Sequence, residues 1–352
     1  MRGWRSVGRF WAALLILAAG GALTLQVMGP PAPSPARAAA IVSAAPAAPV
    51  VATPASLSVT SPGPAPNGAS DTAPWAGPAI PPPAGGVIRA PDPALLEPAP
   101  GFNGRSLPRI ATDGRTSLRA YARPADPADK RPKIAMLIVG FGLADADSRS
   151  AIDALPGAIT LGFSPYAPNP VPLLSAARAH GHEYLVSLPM ESQGYPLNDS
   201  GPHALLTGAD PAANERNLEW TLSRMQGEVG LTGASDGLRG ERFASAPALF
   251  AVVRGEMAER GLLYVDPRPG AVTPGDQAVT LVVDDPANRG DIDAKLAELE
   301  QRARDTGAAL GLAGPLRPVT VERIAAWAHG LDARGIDLVP VSALPVPQPA
   351  VQ

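Results

Sequence analysis

Acidic, amide and hydroxyl side chains follow several short apolar segments of this 352-residue chain, and their types suit ligand chemistry. Such groups hydrogen-bond the hydroxyl groups of a ligand, and carboxylates also hold hard cations. We take the following residues as candidates for substrate binding: Tyr166, Glu191, Asn198, Asp199, Asp266 and Arg268. Asp284 and Asp285, an adjacent carboxylate pair, are weaker candidates for a metal site.

Two of these features fit a structural role as well as a functional one. Glu191 follows a predicted strand, where its carboxylate would bind sugar hydroxyls or a cation, or would cap a turn. Asn198 and Asp199 lie in the stretch YPLNDSGP, and surface loops with such polar groups often bind ligands. The same Asn-Asp-Ser-Gly composition also builds a turn that binds nothing. Both interpretations stay open.

The paired charges favour structural roles. Asp266 and Arg268 would pair across a cleft or, as we favour, form a structural ion pair. Asp284 and Asp285 precede a proline, which fits a strand-to-helix turn with an N-cap better than a metal dyad. The sequence therefore predicts no cofactor, unless a divalent metal is held by ligands in another arrangement.

The four histidines and the lack of cysteine limit the chemistry further. His180 and His182 form an H-x-H where a helix gives way to a strand, which favours a helix C-terminal cation or a packed ring over a metal site. His203 and His329 fall in a loop and a helix and suggest no role. Without cysteine the chain has no thiolate nucleophile, no disulfide and no cysteine-based metal site.

The elements that would position these residues begin at Lys133, where short apolar segments start to alternate with amphipathic helices. Strands are predicted over 134–139, 158–163, 183–188, 229–231, 262–265, 279–283, 308–312 and 336–339. Helices are predicted over 145–155, 171–180, 213–226, 247–260, 291–306 and 320–334. This alternation predicts parallel strands with helical crossovers. It suits a distorted β/α barrel or an open doubly wound sheet, and in both the chemistry lies at the C-terminal ends of the strands.

Four stretches within this alternation resemble one known family. They are FSPYA (163–167), GHEYLVSLPME (181–191), YPLNDSGP (195–202) and GIDLVPVSAL (335–344). In combination they resemble the divergent polysaccharide deacetylases, bacterial envelope proteins related to the NodB-type carbohydrate esterases. The resemblance runs from about Lys133 to Leu344. It implies an α/β fold, a distorted β/α barrel of the polysaccharide deacetylase type, and a carbohydrate-related role.

The resemblance also implies a divalent metal held by Asp and His, with an Asp as base and a His as acid. The chain departs from that pattern at each position. It carries Gly140 and Phe141 in place of two adjacent Asp, and Ser187 in place of the His before LPME. Gly-Pro at 314–315 replaces a late His-Pro, and GASDGLRG at 233–240 replaces a His-Met-Gly-Ser-like stretch. The expected role is therefore glycan binding or envelope maintenance with hydrolytic activity weakened or absent.

Two other functions stay open. One is an active metal-dependent carbohydrate esterase whose ligands have moved, drawn from Glu191, Asp236, Asp266, Asp284 and Asp285. The other is a periplasmic scaffold that binds protein partners and uses the fold only as a support. An intact Asp-Asp and His set would have favoured the enzyme, and its loss favours binding or scaffolding.

Composition divides the chain into four predicted segments. They are a signal-anchor or transmembrane segment (1–29), a Pro/Ala-rich disordered linker (30–131), the deacetylase-like domain (132–345) and a tail (346–352). The linker holds 22 of the 43 prolines, and has too few large apolar side chains to offset the entropy of folding. Beyond residue 131, 17 Lys and Arg stand against 26 Asp and Glu, a balance of −9. Such a domain does not attract nucleic acid.

The N-terminus predicts the location. Arg2, Arg5 and Arg9 precede an uncharged apolar run over 10–28, which as a helix would be about 28 Å long, close to the thickness of a bilayer core. Basic residues before such a span keep the N-terminus in the cytoplasm. We expect an inner-membrane anchor with the domain in the periplasm and an envelope glycan as its partner. The stretch PARAAA at 35–40 leaves the alternative of a cleaved signal and a soluble periplasmic protein.

Overall fold

The computed structural model describes residues 88–271 and 275–345. The strands are β1 (Leu96–Pro98), β2 (Ser106–Pro108), β3 (Lys133–Phe141), β4 (Thr160–Phe163), β5 (Tyr184–Ser187), β6 (Gly230–Thr232), β7 (Leu263–Asp266), β8 (Gln277–Ala278), β9 (Leu281–Val282), β10 (Ala308–Ala313) and β11 (Asp337–Leu338). The helices are α1 (Ser117–Tyr121), α2 (Asp145–Ala154), α3 (Pro170–Ala179), α4 (Pro211–Leu222), α5 (Glu241–Ala244), α6 (Pro247–Glu259), α7 (Arg289–Thr306) and α8 (Pro318–His329).

The main sheet contains nine strands in the described part of the chain, in the order β8-β7-β6-β5-β4-β3-β10-β9, with β11 beside the start of β3. Every pair in it is parallel. Helices surround this sheet, which forms a half-barrel of the α/β type. The predicted parallel sheet with helical crossovers is confirmed.

The two edges of the sheet meet at Val279 and Thr280. The Val279 N–H donates to the carbonyl of Asp266 in β7, at 2.9 Å. The Thr280 N–H donates to the carbonyl of Leu310 in β10, at 2.8 Å. Consecutive residues thus bond to opposite edges, and the sheet curls to bring β8 and β9 together. Of the single strand predicted over 279–283 only Leu281–Val282 (β9) is found, because the chain crosses from one edge to the other at Val279 and Thr280.

Strand β3 is the centre of the sheet. Its apolar residues from Ile134 to Val139 are at most 2% exposed, because β4 and β10 flank the strand, helices cover one of its faces, and the opposite face packs against side chains of other strands inside the curled sheet. A parallel strand that is buried on both faces reads as a continuous apolar run rather than an alternation. This explains why the run at 134–139 was recognisable as a strand from the sequence alone.

Helix α7 shows how local sequence sets the helix bounds. Asn288 is its N-cap and accepts a hydrogen bond from the Asp291 N–H at 3.0 Å. Gly307 ends the helix at a φ of +84°, which a glycine adopts without strain. The predicted apolar face is buried in the core: Ile292, Leu296, Leu299 and Ala303.

The segment before the sheet differs from the prediction. Residues 88–131, expected to belong to a disordered linker, contain the antiparallel pair β1–β2 and helix α1. Leu95, Leu107 and Tyr121 are at most 3% exposed, so a few large apolar side chains are enough to fix this segment on the domain. The Tyr121 hydroxyl also accepts a hydrogen bond from the Asp92 N–H at 2.6 Å. Proline content misled the prediction here, because it was averaged over the whole stretch.

The predicted membrane span over 10–28, the linker up to residue 87 and the tail from 346 lie outside the described residues. Across 88–271 and 275–345, none of the helices has the length and apolar character needed to span a bilayer.

Candidate functional site

A cavity of about 250 Å³ opens at the C-terminal ends of neighbouring strands. Its walls come from the loops that follow β3, β4, β5 and β6: Leu143, Ser164, Tyr166, Asp199, Ser200, Gly201, Pro202, Ser235, Asp236 and Leu238. Because parallel strands present their C-terminal ends at one face, residues distant in sequence meet here. Two of the predicted substrate-binding residues, Tyr166 and Asp199, line this cavity.

Tyr166 is held in place by the loop after β5 and by helix α4. Its hydroxyl oxygen accepts a hydrogen bond from the His203 N–H at 3.2 Å. The Trp220 ring lies 5.4 Å from the tyrosine ring and stacks on the His203 ring at 3.7 Å. Gly201, at a φ of +104°, lets the loop approach, since a Cβ there would stand 2.6 Å from the Tyr166 hydroxyl. The aromatic ring at the cavity wall is therefore fixed in position.

Asp236 lies in a tight turn of unusual backbone conformation. Ser235 and Leu238 exchange two N–H to carbonyl hydrogen bonds, both of 2.8 Å. Asp236 and Gly237 between them have φ values of +47° and +86°. An Asp-Gly pair with positive φ at both residues is typical of a type I′ hairpin turn. This turn presents the Asp236 carboxylate, which is exposed, to the cavity.

The second carboxylate of the cavity, Asp199, is fixed by its own loop. Its Oδ1 accepts a hydrogen bond from the Gly201 N–H at 2.9 Å, which is an Asx turn. The turn interpretation of the YPLNDSGP loop is confirmed, and because the carboxylate also lines the cavity, ligand binding by Asp199 stays a prediction. Asn198 is exposed and stands next to this wall without lining it.

The electrostatics of the cavity suit an uncharged or cationic ligand. Asp199 and Asp236 contribute negative charge, and none of the described residues that line the cavity is basic. Burial raises the pKa of Tyr166, and the charge of Asp199 raises it further, although the His203 N–H acts in the opposite direction. The tyrosine hydroxyl therefore keeps its proton at neutral pH. Together with three serines, it offers donors and acceptors for sugar hydroxyls beside an aromatic ring.

Glu191 lies at the end of the predicted strand but does not line the cavity. Its side chain is 4% exposed. The Thr207 N–H and hydroxyl donate to Oε2 at 2.5 and 2.6 Å, and Arg242 Nε lies 3.0 Å from Oε1. The carboxylate therefore fastens the loop after β5 to helix α5.

Asp266 and Arg268 pair with each other at the end of β7. Arg268 donates from Nη2 to Oδ2 at 2.7 Å and from Nε to Oδ1 at 3.0 Å, so the pair is bidentate. Asp266 is fully buried. The ion pair is local, two residues apart on one strand end, and does not cross a cleft.

Asp284 and Asp285 do not form a dyad. Asp284 is buried and accepts hydrogen bonds from the Gly314 N–H and the Thr320 hydroxyl, each at 3.1 Å. Burial raises the pKa of this carboxyl. Asp285 is exposed. The N-cap that we favoured at this position is Asn288 instead, and Asp284 holds the loop between β10 and α8.

The strand ends do not fit the divalent metal of deacetylases with this fold. At Gly140, a Cβ would lie 2.8 Å from the backbone nitrogen of Leu316, and at Gly314 it would lie 2.4 Å from Cγ2 of Val139. Phe141 is buried in the core, and Ser187 offers a hydroxyl in place of an imidazole. Over residues 88–271 and 275–345, no three His, Asp or Glu side chains are grouped to hold a metal ion. The donor chemistry at these positions is missing.

The histidines have structural surroundings. His182 is fully buried, with Nδ1 2.7 Å from the Ile159 carbonyl, and burial lowers its pKa to about 4. His180 lies near the end of α3, with Nε2 3.4 Å from Asp153. His203, to which the sequence assigned no role, positions Tyr166 as described above. The His203–Trp220 stack joins a loop to a helix, and the sequence contains no signal for that pairing.

Ser235 is a further cavity residue that the sequence analysis did not single out. Residues 233–237 read G-A-S-D-G, which has the G-x-S-x-G spacing of a serine nucleophile elbow. In such an elbow the chain passes from the strand directly into the helix at the serine, whereas Ser235 opens a separate tight turn between β6 and α5. Histidine is also absent from the described lining of the cavity. The serine is thus a hydrogen-bonding group of the wall and lacks the setting of a nucleophile.

Comparisons with known proteins agree with the fold. Residues 136–345 match the family described as divergent polysaccharide deacetylase. An uncharacterized protein from Agrobacterium tumefaciens C58 has a similar structure, with a TM-score of 0.64 and 29% identity, over 68% of this chain and 100% of that chain. The catalytic domain of a peptidoglycan N-acetylglucosamine deacetylase from Eubacterium rectale ATCC 33656 gives a TM-score of 0.42 and 13% identity, over 66% of this chain and 99% of that chain. No curated protein matches the sequence significantly.

The TM-score of the second structure is too low to support a conclusion about this chain. The family match, by contrast, spans more than half of the chain and includes every strand from β4 to β11. The resemblance found in FSPYA, GHEYLVSLPME, YPLNDSGP and GIDLVPVSAL is confirmed. The chain belongs to the divergent polysaccharide deacetylase family, and this membership supports a carbohydrate-related function.

Proposed function

We propose that this protein binds a glycan of the bacterial envelope in the cavity around Tyr166 and does not remove acetyl groups from it. The observation that carries the proposal is the fixed Tyr166 ring beside two carboxylates, at the face where parallel β/α barrels act. Aromatic rings pack against the apolar face of a sugar, while carboxylates and hydroxyls bind its hydroxyl groups.

The charge of the cavity limits the kinds of glycan that can bind. Asp199 and Asp236 disfavour polyanionic chains and favour uncharged sugars or amino sugars with a free ammonium group. The cavity volume of about 250 Å³ lies just below the range of small-molecule sites, about 300–1,000 Å³, so the cavity would hold only a short part of a glycan at a time. The rest of the glycan chain would extend outside the cavity.

The residues at the strand ends support the proposed loss of the deacetylase reaction. A hydrolytic metal site needs about three protein ligands and an open position. Gly140, Phe141, Ser187 and Gly314 supply none of the carboxylates or imidazoles that such a site uses. The alternative function is an active esterase with relocated metal ligands. It would require Glu191, Asp266 and Asp284 to give up their present contacts. We therefore favour binding over hydrolysis.

The proposed location is the periplasmic side of the inner membrane. It rests on Arg2, Arg5 and Arg9 before the apolar run 10–28, with the alternative of cleavage near 35–40. There the domain would meet cell-wall glycan.

The test is a titration of the full-length protein with three oligosaccharides: chitohexaose, its deacetylated form and an oligogalacturonate. We expect the first two to bind and the acidic oligomer not to bind. Asp236→Asn removes a cavity charge and keeps a residue that tolerates positive φ, so the affinity for the deacetylated oligomer falls several-fold. Asp285→Asn, an exposed carboxylate outside the cavity, serves as the matched control. Equal loss in both variants, or no binding by the wild type, would contradict the proposal.

A further inference from the structure

A second cavity, separate from the first, lies along helix α3. Its volume is about 480 Å³. It is bounded by α3, by the turn that follows α4 and by the turn between β1 and β2: Pro91, Gly104, Arg105, Pro170, Val171, Leu174, Arg178, Ser223, Arg224, Met225 and Gln226. No residue of this set belongs to the proposed glycan cavity.

Three arginines line this cavity, and none of them is paired with a carboxylate in the described part of the chain. Arg178 donates to the Tyr184 hydroxyl at 3.0 Å and lies 3.4 Å from the Ser175 hydroxyl. Arg224 donates to two backbone carbonyls, those of Pro165 at 2.6 Å and Ala167 at 2.9 Å. These partners fix the direction of the guanidinium groups without neutralising their charge.

Arg105 is the most available of the three. Its guanidinium has no hydrogen-bond or ion-pair partner among the described residues, and the side chain is half-buried at the turn after β1. Burial lowers the pKa of Arg224, and the nearby charge of Arg105 lowers it further. Two positive charges thus lie close together at the same cavity, which costs free energy unless a bound anion offsets their repulsion.

The described wall of the cavity contains no Asp or Glu. Burial raises the pKa of Tyr184, the partner of Arg178, and the charge of Glu228 raises it further, but Glu228 is not among the lining residues and is 1% exposed. Burial raises its pKa to about 8, so that this carboxyl is mostly protonated at neutral pH. It therefore supplies little negative charge to balance the arginines.

From this arrangement we infer that the cavity binds a small organic anion, with a phosphate ester or carboxylate group held by Arg105, Arg178 and Arg224. Guanidinium groups match both oxyanions through paired N–H donors. Pro170, Val171 and Leu174 of α3 add an apolar wall for the body of the ligand. The volume lies within the range of small-molecule sites, about 300–1,000 Å³.

The experiment is calorimetric titration of the full-length protein at low salt with glucose 6-phosphate, glucuronate and glucose. We expect at least one anion to bind with an affinity that falls as the salt concentration rises and that Arg105→Gln weakens, and any binding of glucose to be unaffected by both. A preference for glucose 6-phosphate identifies a phosphate ester as the ligand, and a preference for glucuronate identifies a carboxylate. Binding of neither anion overturns the inference.

Arg105→Gln should weaken binding of the preferred anion about tenfold, the effect of losing one charge-assisted hydrogen bond. Arg105→Lys keeps the charge without the guanidinium fork and should lose less. Arg119→Gln, an exposed arginine on α1 outside the cavity, removes the same charge as a control. Equal weakening by Arg105→Gln and Arg119→Gln would show non-specific attraction and overturn the site. A circular dichroism melt of each variant verifies that it is folded.

Discussion

The backbone nitrogen of Leu316 lies 2.8 Å from the point where a Cβ on Gly140 would stand. Gly140 has a φ of +101° near the end of β3, and the loop after β10 packs directly on it. Gly314 in that loop makes the reciprocal contact with Val139. Backbone therefore fills the space in which a side chain at residue 140 would have to stand.

Replacement of Gly140 by Asp should therefore destabilise the protein and should not create a metal site. We expect Gly140→Asp to lower the free energy of unfolding by about 3 kcal/mol, from positive-φ strain and the backbone clash. Gly101→Asp is the matched control, with a φ of +85° and open space around its Cβ, and should cost less. Urea unfolding measures both. A Gly140→Asp protein that is as stable as wild type and binds zinc would contradict this account.

Gly201→Ala should weaken glycan binding through Tyr166. The new methyl would stand 2.6 Å from the Tyr166 hydroxyl, so the ring must move from its position against Trp220. We expect a several-fold loss of affinity for chitohexaose, measured by titration. Gly208→Ala is the control, because nothing lies within 4 Å of its Cβ position and it is in the same connection between β5 and α4. Unchanged affinity in Gly201→Ala would show that Tyr166 does not contact the sugar.

Glu191→Gln should separate stability from binding. The buried carboxylate has three close partners on Thr207 and Arg242, and loss of its charge should cost about 1–3 kcal/mol of unfolding free energy. Glycan affinity should stay at the wild-type value, because Glu191 does not line the cavity. Urea unfolding and titration of the same sample measure the two effects. A drop in affinity with unchanged stability would show that Glu191 contributes to glycan binding and not to stability.

Glu228→Gln should remove a pH dependence of stability. Neither carboxylate oxygen of Glu228 has a hydrogen-bond partner among the described residues, and burial raises its pKa from 4.5 to about 8. Between these two values the unfolded chain releases a proton that the folded chain keeps. The free energy of unfolding therefore falls as the pH rises from about 4.5 to about 8, by a total on the order of 5 kcal/mol.

The measurement is urea unfolding at pH 5.5 and at pH 8.5. Wild type should lose more stability between these pH values than Glu228→Gln, and the variant should be the more stable protein at pH 8.5. Glu259→Gln, an exposed carboxylate on α6, should behave as wild type. If Glu228→Gln and wild type lose the same stability over this range, then Glu228 is not the buried acid that we describe.

Much of the fold could be predicted from the sequence, because buried parallel strands leave continuous apolar runs. The run at 134–139 became β3, and the amphipathic stretch at 291–306 became α7. The segment 88–131 could not be predicted, because the side chains that pack it on the domain, among them Leu95, Leu107 and Tyr121, are isolated along the chain and follow no periodic pattern.

The site could be predicted only in part, for a related reason. Tyr166 follows a strand, and a rule about strand ends is enough to find it, whereas Asp199 was found from the polar composition of the YPLNDSGP loop. The rule about strand ends also selected Asp266 and Asp284, but Asp266 forms a structural ion pair and Asp284 holds a loop in place. The position of Asp236 at the cavity depends on a turn with positive φ values, and the position of Trp220 depends on its stack with a histidine distant in sequence. Such contacts exist only once the loops are folded.

The most direct test of the central claim combines binding and hydrolysis in one sample. Full-length protein is incubated with chitohexaose, with and without a chelator, while its zinc content, bound oligosaccharide and released acetate are measured. We predict that chitohexaose binds, that zinc is far below one equivalent, and that the chelator changes neither binding nor acetate release. Stoichiometric zinc together with acetate release that the chelator abolishes would contradict the account and establish an active esterase with relocated ligands.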